Sequence, residues 1–340
     1  MRLGTRASPL ALAQAKLVAD LLGGAEIVPI TTSGDRGPEA DGSLDRLKTP
    51  ESGTNTLGGT GTVGGTGTDS GTSTVVRASA DGDKSRWIDT LEQALLAGEI
   101  DIAVHSAKDL PGELSAGLEL LGGPARAPAE DVLCGASSLD ALRAGARIGT
   151  SSLRRAAQLR AAREDVEIVA LAGNVDTRLR KLAEDGLDAI VLARAGLQRL
   201  GREQEIGAVL DPMRFVPAPG QGMLALQARA FDGRVRDATA GLIDREASEC
   251  LRAERALAGA LGASCDTPLG AYAAPAGCGC LLLRAWIGLP DGSAWIADEL
   301  LGGFYDAQAL GARVAERMRA AGADELLADL GRAPSQPARA

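Results

Sequence analysis

Short apolar runs alternate with amphipathic segments over the first two-thirds of the chain. The runs have the length of buried strands: AEIVPITT (25–32), DIAVHS (101–106), RIGTSS (147–152), VEIVALA (166–172) and DAIVLAR (188–194). Between them, apolar side chains recur at helical spacing, as at Leu10, Leu17 and Leu21. Because strands that alternate with helices build largely parallel sheets, this pattern predicts an α/β fold.

The pattern changes near residue 240. DREASECLRAERALAGALG (244–262) predicts a helix with one apolar face, and CLLLRAWIGLPDGSAWIADEL (280–300) predicts two strands joined by a Pro-Asp-Gly turn. A single last helix is predicted over 306–330. These elements indicate a third, smaller module of the α+β class.

Residues 49–74 fit neither pattern, because they consist almost wholly of glycine, threonine and serine. They contain the near-repeat LGGTGT and VGGTGT. This composition buries too little apolar surface to fold by itself, which predicts a flexible loop. The glycines do not follow a strand, so the segment does not match a phosphate-binding loop.

Composition narrows the class of protein. With 45% hydrophobic and 24% charged residues among 340, the chain has the make-up of a globular protein. A net charge of −9 argues against broad nucleic-acid binding, and no apolar stretch has the length of a membrane span. The first residues lack a signal-peptide pattern, which predicts a cytoplasmic protein. Five cysteines, an odd number, do not suggest a disulfide framework.

Positive charge is concentrated in one part of this acidic chain. Residues 143–181 hold nine basic residues against four acidic ones. The surplus indicates a site for a small anionic ligand, although a solvated helix face would have the same composition.

Three predicted helices carry arginine at their N-termini, where acidic side chains are usual. Ser8 predicts a helix start just after Arg6. Arg154 and Arg155 fall in the first turn after RIGTSS, and Arg178 near the start of the helix after VEIVALA. An anion shared by arginine and free backbone N–H groups would remove this conflict. Because such junctions lie at the carboxyl ends of strands, they predict a cleft for a ligand with several carboxylates or phosphates.

The segment EIDIAVHSAKDLP brings His105, Lys108 and Asp109 to the same sheet edge. Beside cations Asp109 stays ionised, so it is a candidate to stabilise a developing cation or to exchange a proton. A simple pair with Lys108 is the alternative. His105 is the only histidine and is in phase with buried strand residues, so we expect it to be packed rather than to act as a base.

Cys265 lies in GASCDTPLG between a serine and an aspartate, outside the apolar surroundings usual for a structural cysteine. A cysteine hydrolase would need His105 close to Cys265 and a group that orients the ring, and nothing local supplies one. Cys278 and Cys280 have no second pair of ligands, so no metal site is predicted.

Eight stretches, in the same order, resemble the hydroxymethylbilane synthases, also called porphobilinogen deaminases. They are LGTRASPLALAQA, DTLEQALLAGEIDIAVHSAKDLP, IGTSSLRRAAQL, GNVDTRL, LDAIVLARAGLQRLG, PAPGQGMLALQAR, RAERAL and GASCDTPLGAYA. The resemblance implies two α/β domains similar to type II periplasmic binding proteins and a smaller α+β C-terminal domain. Domain 1 is expected to comprise 1–124 and 223–240, with a disordered insertion at 49–80. Domain 2 is expected over 128–218 and domain 3 over 243–335.

The resemblance also implies tetrapyrrole, or haem, biosynthesis. A dipyrromethane cofactor would be held by a thioether to the loop cysteine, here Cys265. Four porphobilinogen molecules would each lose ammonia and be joined head to tail, and hydroxymethylbilane would be released by hydrolysis. Asp109 matches the catalytic aspartate of the family. The positions that match cofactor-binding or substrate-binding residues are Arg6, Ser8, Lys84, Lys108, Thr150, Ser151, Ser152, Arg154, Arg155, Arg178 and Arg199.

The enzyme so implied is a monomer whose partner is its small-molecule substrate, without metal, membrane or nucleic acid. Some positions depart from the family pattern. Ala172 stands where an arginine usually precedes GN, which should weaken one carboxylate contact by about 1.5–3 kcal/mol. Arg180 and Arg194 are candidates to replace it. DKSRW (83–87) stands for GKGLF and keeps the lysine, and the enlarged loop 49–74 is expected to be dispensable.

In two alternatives the protein would have the same cleft between its two α/β domains but would not carry out the full reaction. One is a non-catalytic binder of dicarboxylates or pyrroles, and the other is a degenerate homologue that does not complete the tetrapyrrole. An Asp109→Ala variant should keep its fold and lose turnover in a synthase, whereas a pure binder should be nearly indifferent to it.

Overall fold

The computed structural model describes residues 1–30, 80–112, 114–264, 266–277 and 279–332. Cys265 and the predicted loop 49–74 lie outside these residues. So does the predicted insertion 49–80, except for residue 80. The strands are β1 (Arg2–Arg6), β2 (Glu26–Ile30), β3 (Ile102–Ser106), β4 (Leu118–Gly122), β5 (Asp131–Cys134), β6 (Arg147–Gly149), β7 (Glu167–Val169), β8 (Ala189–Ala193), β9 (Ala208–Val209), β10 (Leu224–Arg229), β11 (Leu269–Pro275), β12 (Cys280–Gly288) and β13 (Trp295–Gly303). The helices are α1 (Pro9–Leu21), α2 (Ala80–Leu96), α3 (Leu153–Ala162), α4 (Val175–Glu184), α5 (Arg194–Arg199), α6 (Gly233–Thr239), α7 (Arg245–Ala260), α8 (Ala307–Ala320) and α9 (Ala323–Arg332).

The first sheet has the strand order β2-β1-β3-β10-β4. β1 lies parallel to β2 and β3, whereas β10 runs antiparallel to β3 and β4. Its core contains Leu3, Ile102 and Leu226, which are inaccessible to solvent, and Val18 of α1 packs against them. The inner residues of β1 and β3 are buried without alternation, and the parallel pairing of the two strands puts their carboxyl ends at the same edge of the sheet.

The second sheet repeats this layout in the order β7-β6-β8-β5-β9. β6 is parallel to β7 and β8, and β5 is antiparallel to β8 and β9. In each sheet one antiparallel strand stands fourth, and the chain crosses between the sheets before β5 and again before β10. These two sheets confirm the pair of similar α/β domains that the resemblance implied.

The C-terminal part is an antiparallel sheet in the order β11-β12-β13, packed against α7 and α8. Leu257, Leu283 and Val314 are fully buried between these elements. The α+β class is confirmed, but the single helix predicted over 306–330 was wrong. It consists of α8 and α9, because Gly322 takes a φ of +102° that interrupts helical geometry.

None of the helices in the described part of the chain is both long enough and apolar enough to cross a lipid bilayer.

Candidate functional site

The first wall of the candidate site is the turn that follows β3. Ala107–Asp109 forms a 3-10 turn, with Lys108 and Asp109 half-buried. Gly220 lies in the second crossing segment, the stretch between β9 and β10 in which the chain returns to the first sheet. It has a φ of +72°, and a Cβ there would come within 3.0 Å of Ala107 and of the Lys108 backbone nitrogen. The crossing segment therefore lies directly against this turn, and its close approach requires glycine.

The carboxylate of Asp109 has no hydrogen bond or ion pair with any residue that the structure describes. No hydrogen bond or ion pair joins Asp109 to Lys108, although the charge of Asp109 raises the pKa of Lys108. The Asp109 oxygens are not among the buried unpartnered atoms of the described residues, so they are accessible to solvent or to a ligand. This accessibility is consistent with a group kept for a ligand.

The second wall is the start of α3. Ser152 is its N-cap, and its hydroxyl accepts a bond of 3.4 Å from the Arg155 backbone N–H. The Thr150 hydroxyl accepts from the Ser152 N–H at 3.2 Å, and the Ser151 hydroxyl accepts from the Leu171 N–H at 3.0 Å. All three hydroxyls are thus used to shape this strand-to-helix junction, and each keeps its own O–H for a further acceptor.

Arg154 and Arg155 lie in the first turn of α3 and are only 4% and 6% exposed. Both bind the carboxylate of Asp131, with closest distances of 2.8 Å for Arg154 Nη2 and 2.7 Å for Arg155 Nη2. Arg154 also donates to the Val216 carbonyl and Arg155 to the Val191 carbonyl. Burial raises the pKa of Asp131, but the two guanidinium groups lower it by more, so that the pKa is about 2. The anion predicted at this helix start is therefore supplied in part by the protein itself.

The two walls meet. Burial lowers the pKa of Lys108, and the charges of Arg155 and Arg154 lower it too, whereas Asp109 and Asp131 raise it. The net result is a pKa of about 8. The Arg178 guanidinium at the start of α4 also has a lowered pKa, from burial and from the charge of Arg155. Four cations therefore face two carboxylates in one place, and the excess of positive charge suits an anionic ligand.

Arg178 is held by its own loop. Asn174 caps α4 by accepting from the Thr177 N–H at 2.9 Å, and Arg178 Nε donates to the Gly173 carbonyl at 2.7 Å. Gly173 has a φ of +115°, so the loop turns sharply here. Ala172, just before it, is exposed and contributes no charge of its own.

Arg180 and Arg194, the candidates to replace an arginine at position 172, are both paired elsewhere. Arg180 pairs with Glu184 one turn along the same helix, and Arg194 Nη1 lies 3.1 Å from Glu130 Oε1. Both candidates to replace the missing arginine are thus engaged with carboxylates of the protein.

The remaining predicted residues occupy separate places around this cluster. Ser8 caps α1, as expected, by accepting from the Ala11 N–H at 3.4 Å. Arg6 ends β1, and because β1 is parallel to β3 it lies at the same sheet edge as the Asp109 turn. Arg199 Nη2 donates to the Gly222 carbonyl at 2.7 Å, and burial lowers its pKa to about 10. Lys84 belongs to α2, and its side chain is outside the described part.

The ends of the Cys265 loop are described although the cysteine is not. Ser264 N–H donates to the Thr267 hydroxyl at 3.0 Å, and Asp266 N–H donates to the Ser264 hydroxyl at 3.2 Å. On the far side, Ala271 N–H of β11 binds the Pro217 carbonyl at 2.8 Å. The loop thus leads from α7 to β11, and β11 is bonded to the second crossing segment. The same crossing segment contacts the Asp109 turn.

Several residues of this site were missed by the sequence analysis. Asp131 was missed although an acidic residue at the start of the apolar run DVLC is a usable signal. Glu254 was missed because it looked like one charge among many on an amphipathic helix. It is fully buried, and its carboxylate accepts from Arg126 Nη1, Gly220 N–H and Ala273 N–H at 2.7, 2.6 and 2.8 Å.

Two other expectations concern metals and His105. Among residues 1–30, 80–112, 114–264, 266–277 and 279–332, no group of three or more potential metal ligands occurs. His105 is packed in the core, 3% exposed, as its position on the strand predicted.

Comparisons with known proteins agree over almost the whole chain. A family model described as porphobilinogen deaminase, dipyromethane cofactor binding domain, matches residues 1–56 and 62–237. A second, described as porphobilinogen deaminase, C-terminal domain, matches residues 248–320.

Curated relatives carry the same name. A porphobilinogen deaminase of Xanthomonas euvesicatoria pv. vesicatoria is 41% identical over 341 residues, covering 97% of this chain and 99% of its own. One from Roseiflexus sp. (strain RS-1) is 41% identical over 334 residues, covering 96% and 98%. Among solved structures, a substrate binding domain of a putative amino acid ABC transporter from Streptococcus pneumoniae is 12% identical, with a TM-score of 0.36, over 71% of this chain and 90% of that one.

Proposed function

The chain belongs to the porphobilinogen deaminase family, and from that premise we propose that it joins porphobilinogen molecules head to tail on a dipyrromethane primer and releases hydroxymethylbilane. Such an enzyme is a transferase of tetrapyrrole synthesis. The observation that carries the proposal is the cluster in which four cations face two carboxylates, one of them the unpartnered Asp109. The match over nearly the full length does not favour a non-catalytic binder.

The residues present fit the cofactor that the family implies. A pyrrole chain with carboxylate side chains is a polyanion, and the cluster offers it Lys108, Arg154, Arg155 and Arg178. When bound, the dipyrromethane supplies the pyrrole carbon to which the first substrate is joined. We propose that Cys265 holds it by a thioether and that the other residues that bind it or the substrate are Arg6, Ser8, Lys84, Thr150, Ser151, Ser152 and Arg199.

The cations have different parts in this proposal. Asp131 fixes both guanidinium groups of α3, so their remaining N–H groups are oriented before a ligand arrives. Lys108, with a pKa of about 8, is mostly protonated at neutral pH and can follow a carboxylate as the product lengthens.

Asp109 is the proposed catalytic residue. Its carboxylate lies next to this positive cluster without a partner in the described part of the chain, so it is available to a cation that forms on the substrate. A negative charge held in place stabilises such a cation without reorganising at the moment of reaction. The same oxygen atoms can take up and return the protons that the substrate exchanges.

The division into 1–124 with 223–240, 128–218 and 243–335, the monomeric state and the cytoplasmic location are also proposals. The membership of the three sheets supports the division, because each sheet draws its strands from one of these ranges.

Asp109→Asn tests the assignment of the catalytic residue. The variant keeps the shape of the side chain but not its charge, so we expect a folded protein that forms hydroxymethylbilane from porphobilinogen at least about 100-fold more slowly. Asp20→Asn, at an exposed aspartate of α1 that pairs with Lys16, is the matched control and should retain the parent's rate. A parent that consumes no porphobilinogen, or an Asp109→Asn variant that turns over normally, would contradict the proposal.

A further inference from the structure

The second crossing segment, from β9 to β10, lies against both walls of the site. At the α3 wall, the Val216 carbonyl accepts from Arg154 Nη1 at 2.7 Å and from Gln158 Nε2 at 2.9 Å. Gln158 Oε1 in turn accepts from the Val216 N–H at 2.7 Å. At the other wall, Gly220 contacts the Asp109 turn. The segment therefore joins the two walls through its backbone.

Gln221, the residue after Gly220, ties this segment to two other places. Its Nε2 donates to Asp131 Oδ1 at 2.9 Å and to the Ala129 carbonyl at 2.7 Å, and its backbone carbonyl accepts from Arg126 Nε at 2.9 Å. Ala129 and Arg126 belong to the first crossing segment, between β4 and β5. Gln221 is 1% exposed, so water does not compete for the bonds of its side chain.

The orientation of the Gln221 amide follows from its partners. A carbonyl and an ionised carboxylate only accept hydrogen bonds, so the NH₂ group faces both of them. Oε1 is then left buried, without a hydrogen-bond partner in the part of the chain that the structure describes. Because an unpaired buried acceptor is costly, the side chain contributes here through its two N–H bonds.

The Asp131 carboxylate is where this tie reaches the arginines. Oδ1 accepts from Arg155 Nε at 3.0 Å and Nη2 at 2.7 Å as well as from Gln221, whereas Oδ2 pairs with Arg154 Nη2 at 2.8 Å. Both arginines lie on α3, so among these partners only Gln221 relates the carboxylate to the path of the chain between the two sheets. Without its bond the carboxylate can rotate, and the two guanidinium groups would turn with it.

We propose that Gln221 is a positioning residue, whose amide fixes the Asp131 carboxylate relative to both crossing segments and thereby sets the geometry of Arg154 and Arg155 for the carboxylates of the substrate. The inference rests on the proposed function for the part that the two arginines have in binding. The tie between Gln221, Asp131 and the first crossing segment does not depend on that function.

Gln221→Met tests the role in binding. Methionine is of similar length but has no donor, so we expect the KM for porphobilinogen to rise about 10-fold while kcat changes by less than about 2-fold, the pattern of lost substrate binding. A purely structural loss would reduce the amount of folded enzyme, which lowers the apparent kcat and leaves KM unchanged.

Gln158→Met is the matched control. Gln158 is 3% exposed and is bonded to the same crossing segment, but it has no bond to Asp131. Its loss should leave KM within about 2-fold of the parent's value. An equal rise of KM in both variants would contradict the role given to Gln221.

Hydrogen exchange of the full-length protein tests the tie without substrate or activity. Ala127 N–H binds the Gly222 carbonyl at 3.1 Å, beside the Gln221 bonds that hold the two crossing segments together. Gln221→Met should therefore speed exchange in peptides covering 126–131 by at least about 5-fold. Gln158→Met removes the acceptor of the Val216 N–H, so it should speed exchange only in peptides covering 215–222.

Faster exchange over 126–131 with an unchanged KM would refute the positioning role, and unchanged exchange there would refute the tie itself. If Gln221→Met does not fold, Gln221→Asn, whose amide is one methylene shorter, repeats both measurements. A parent without synthase activity would contradict the proposed function, while the exchange data would still decide whether the tie exists.

Discussion

At the scale of single residues, Asp131 holds two guanidinium groups with one carboxylate. The carboxylate is inaccessible to solvent, and both arginines are almost fully buried. Neither guanidinium could remain charged there without compensation, because a buried unpaired charge is costly. Asp131 thus makes it possible for two arginines to be buried together at the start of α3.

Asp131→Asn should therefore destabilise the protein by about 3–5 kcal/mol, measured by denaturant unfolding at neutral pH. Because the pKa of Asp131 is lowered from 3.8 to about 2, its stabilising effect is present above about pH 4 and is lost as the pH falls towards about 2. The difference between parent and variant should shrink over that range. Asp176→Asn, at an exposed pair with Arg202, should cost less than about 1 kcal/mol, and an equal cost at both positions would contradict the account.

Lys108 gives the cleft a pH dependence. With a pKa of about 8 it loses its charge as the pH rises through that value, so carboxylate binding should weaken on the alkaline side. The KM for porphobilinogen should rise above about pH 8 in the parent. Lys108→Arg, which stays charged, should show a flatter KM profile over the same range. Equal profiles would show that Lys108 does not contact substrate in its charged form.

At the scale of elements, α7 links the parts of the site. Glu254 binds Gly220 of the crossing segment and Ala273 of β11, as well as Arg126. The next residue, Arg255, donates from Nη2 to the carbonyls of Pro111 and Gly112 at 2.8 Å each. One turn of α7 therefore fixes the backbone just after Asp109 relative to the helix that leads to Cys265.

Arg255→Met should lower kcat by about 10-fold, because the Asp109 turn loses its tie to the cysteine-bearing module. Global stability should change by less than about 1 kcal/mol, because both lost bonds are exposed to solvent, where the charge of the guanidinium is screened. Arg252→Met, at a guanidinium that is 67% exposed and paired with Glu249, is the control and should leave kcat unchanged. Loss of rate in both variants, or in neither, would contradict the role given to Arg255.

Much of this arrangement could be predicted from local patterns. The cap at Ser8 followed from its residue type, and the alternation of strands and helices located β2, β3, β6, β7 and β8. β5 and β10 were not predicted, because they pair with strands that are distant in sequence and run against the rest of their sheets. Glu254 was missed for a related reason, since its three partners come from three separate segments of the chain.

At the scale of the whole molecule, an acidic chain of net charge −9 contains a cluster of four cations. The negative remainder of the surface repels anions in general, whereas the cluster of Lys108, Arg154, Arg155 and Arg178 attracts them locally. The chain crosses between the two sheets twice, and the second crossing contacts the Asp109 turn, Glu254 and β11. The three sheets therefore contribute to one site.

The measurement that tests the central claim most directly is the intact mass of the purified protein beside that of Cys265→Ser. We predict that the parent exceeds its polypeptide mass by two porphobilinogen units less two ammonia molecules, and that the variant does not. A bare polypeptide mass that persists in the parent after incubation with porphobilinogen would contradict a primer attached at Cys265, and with it the synthase that the cleft is proposed to serve.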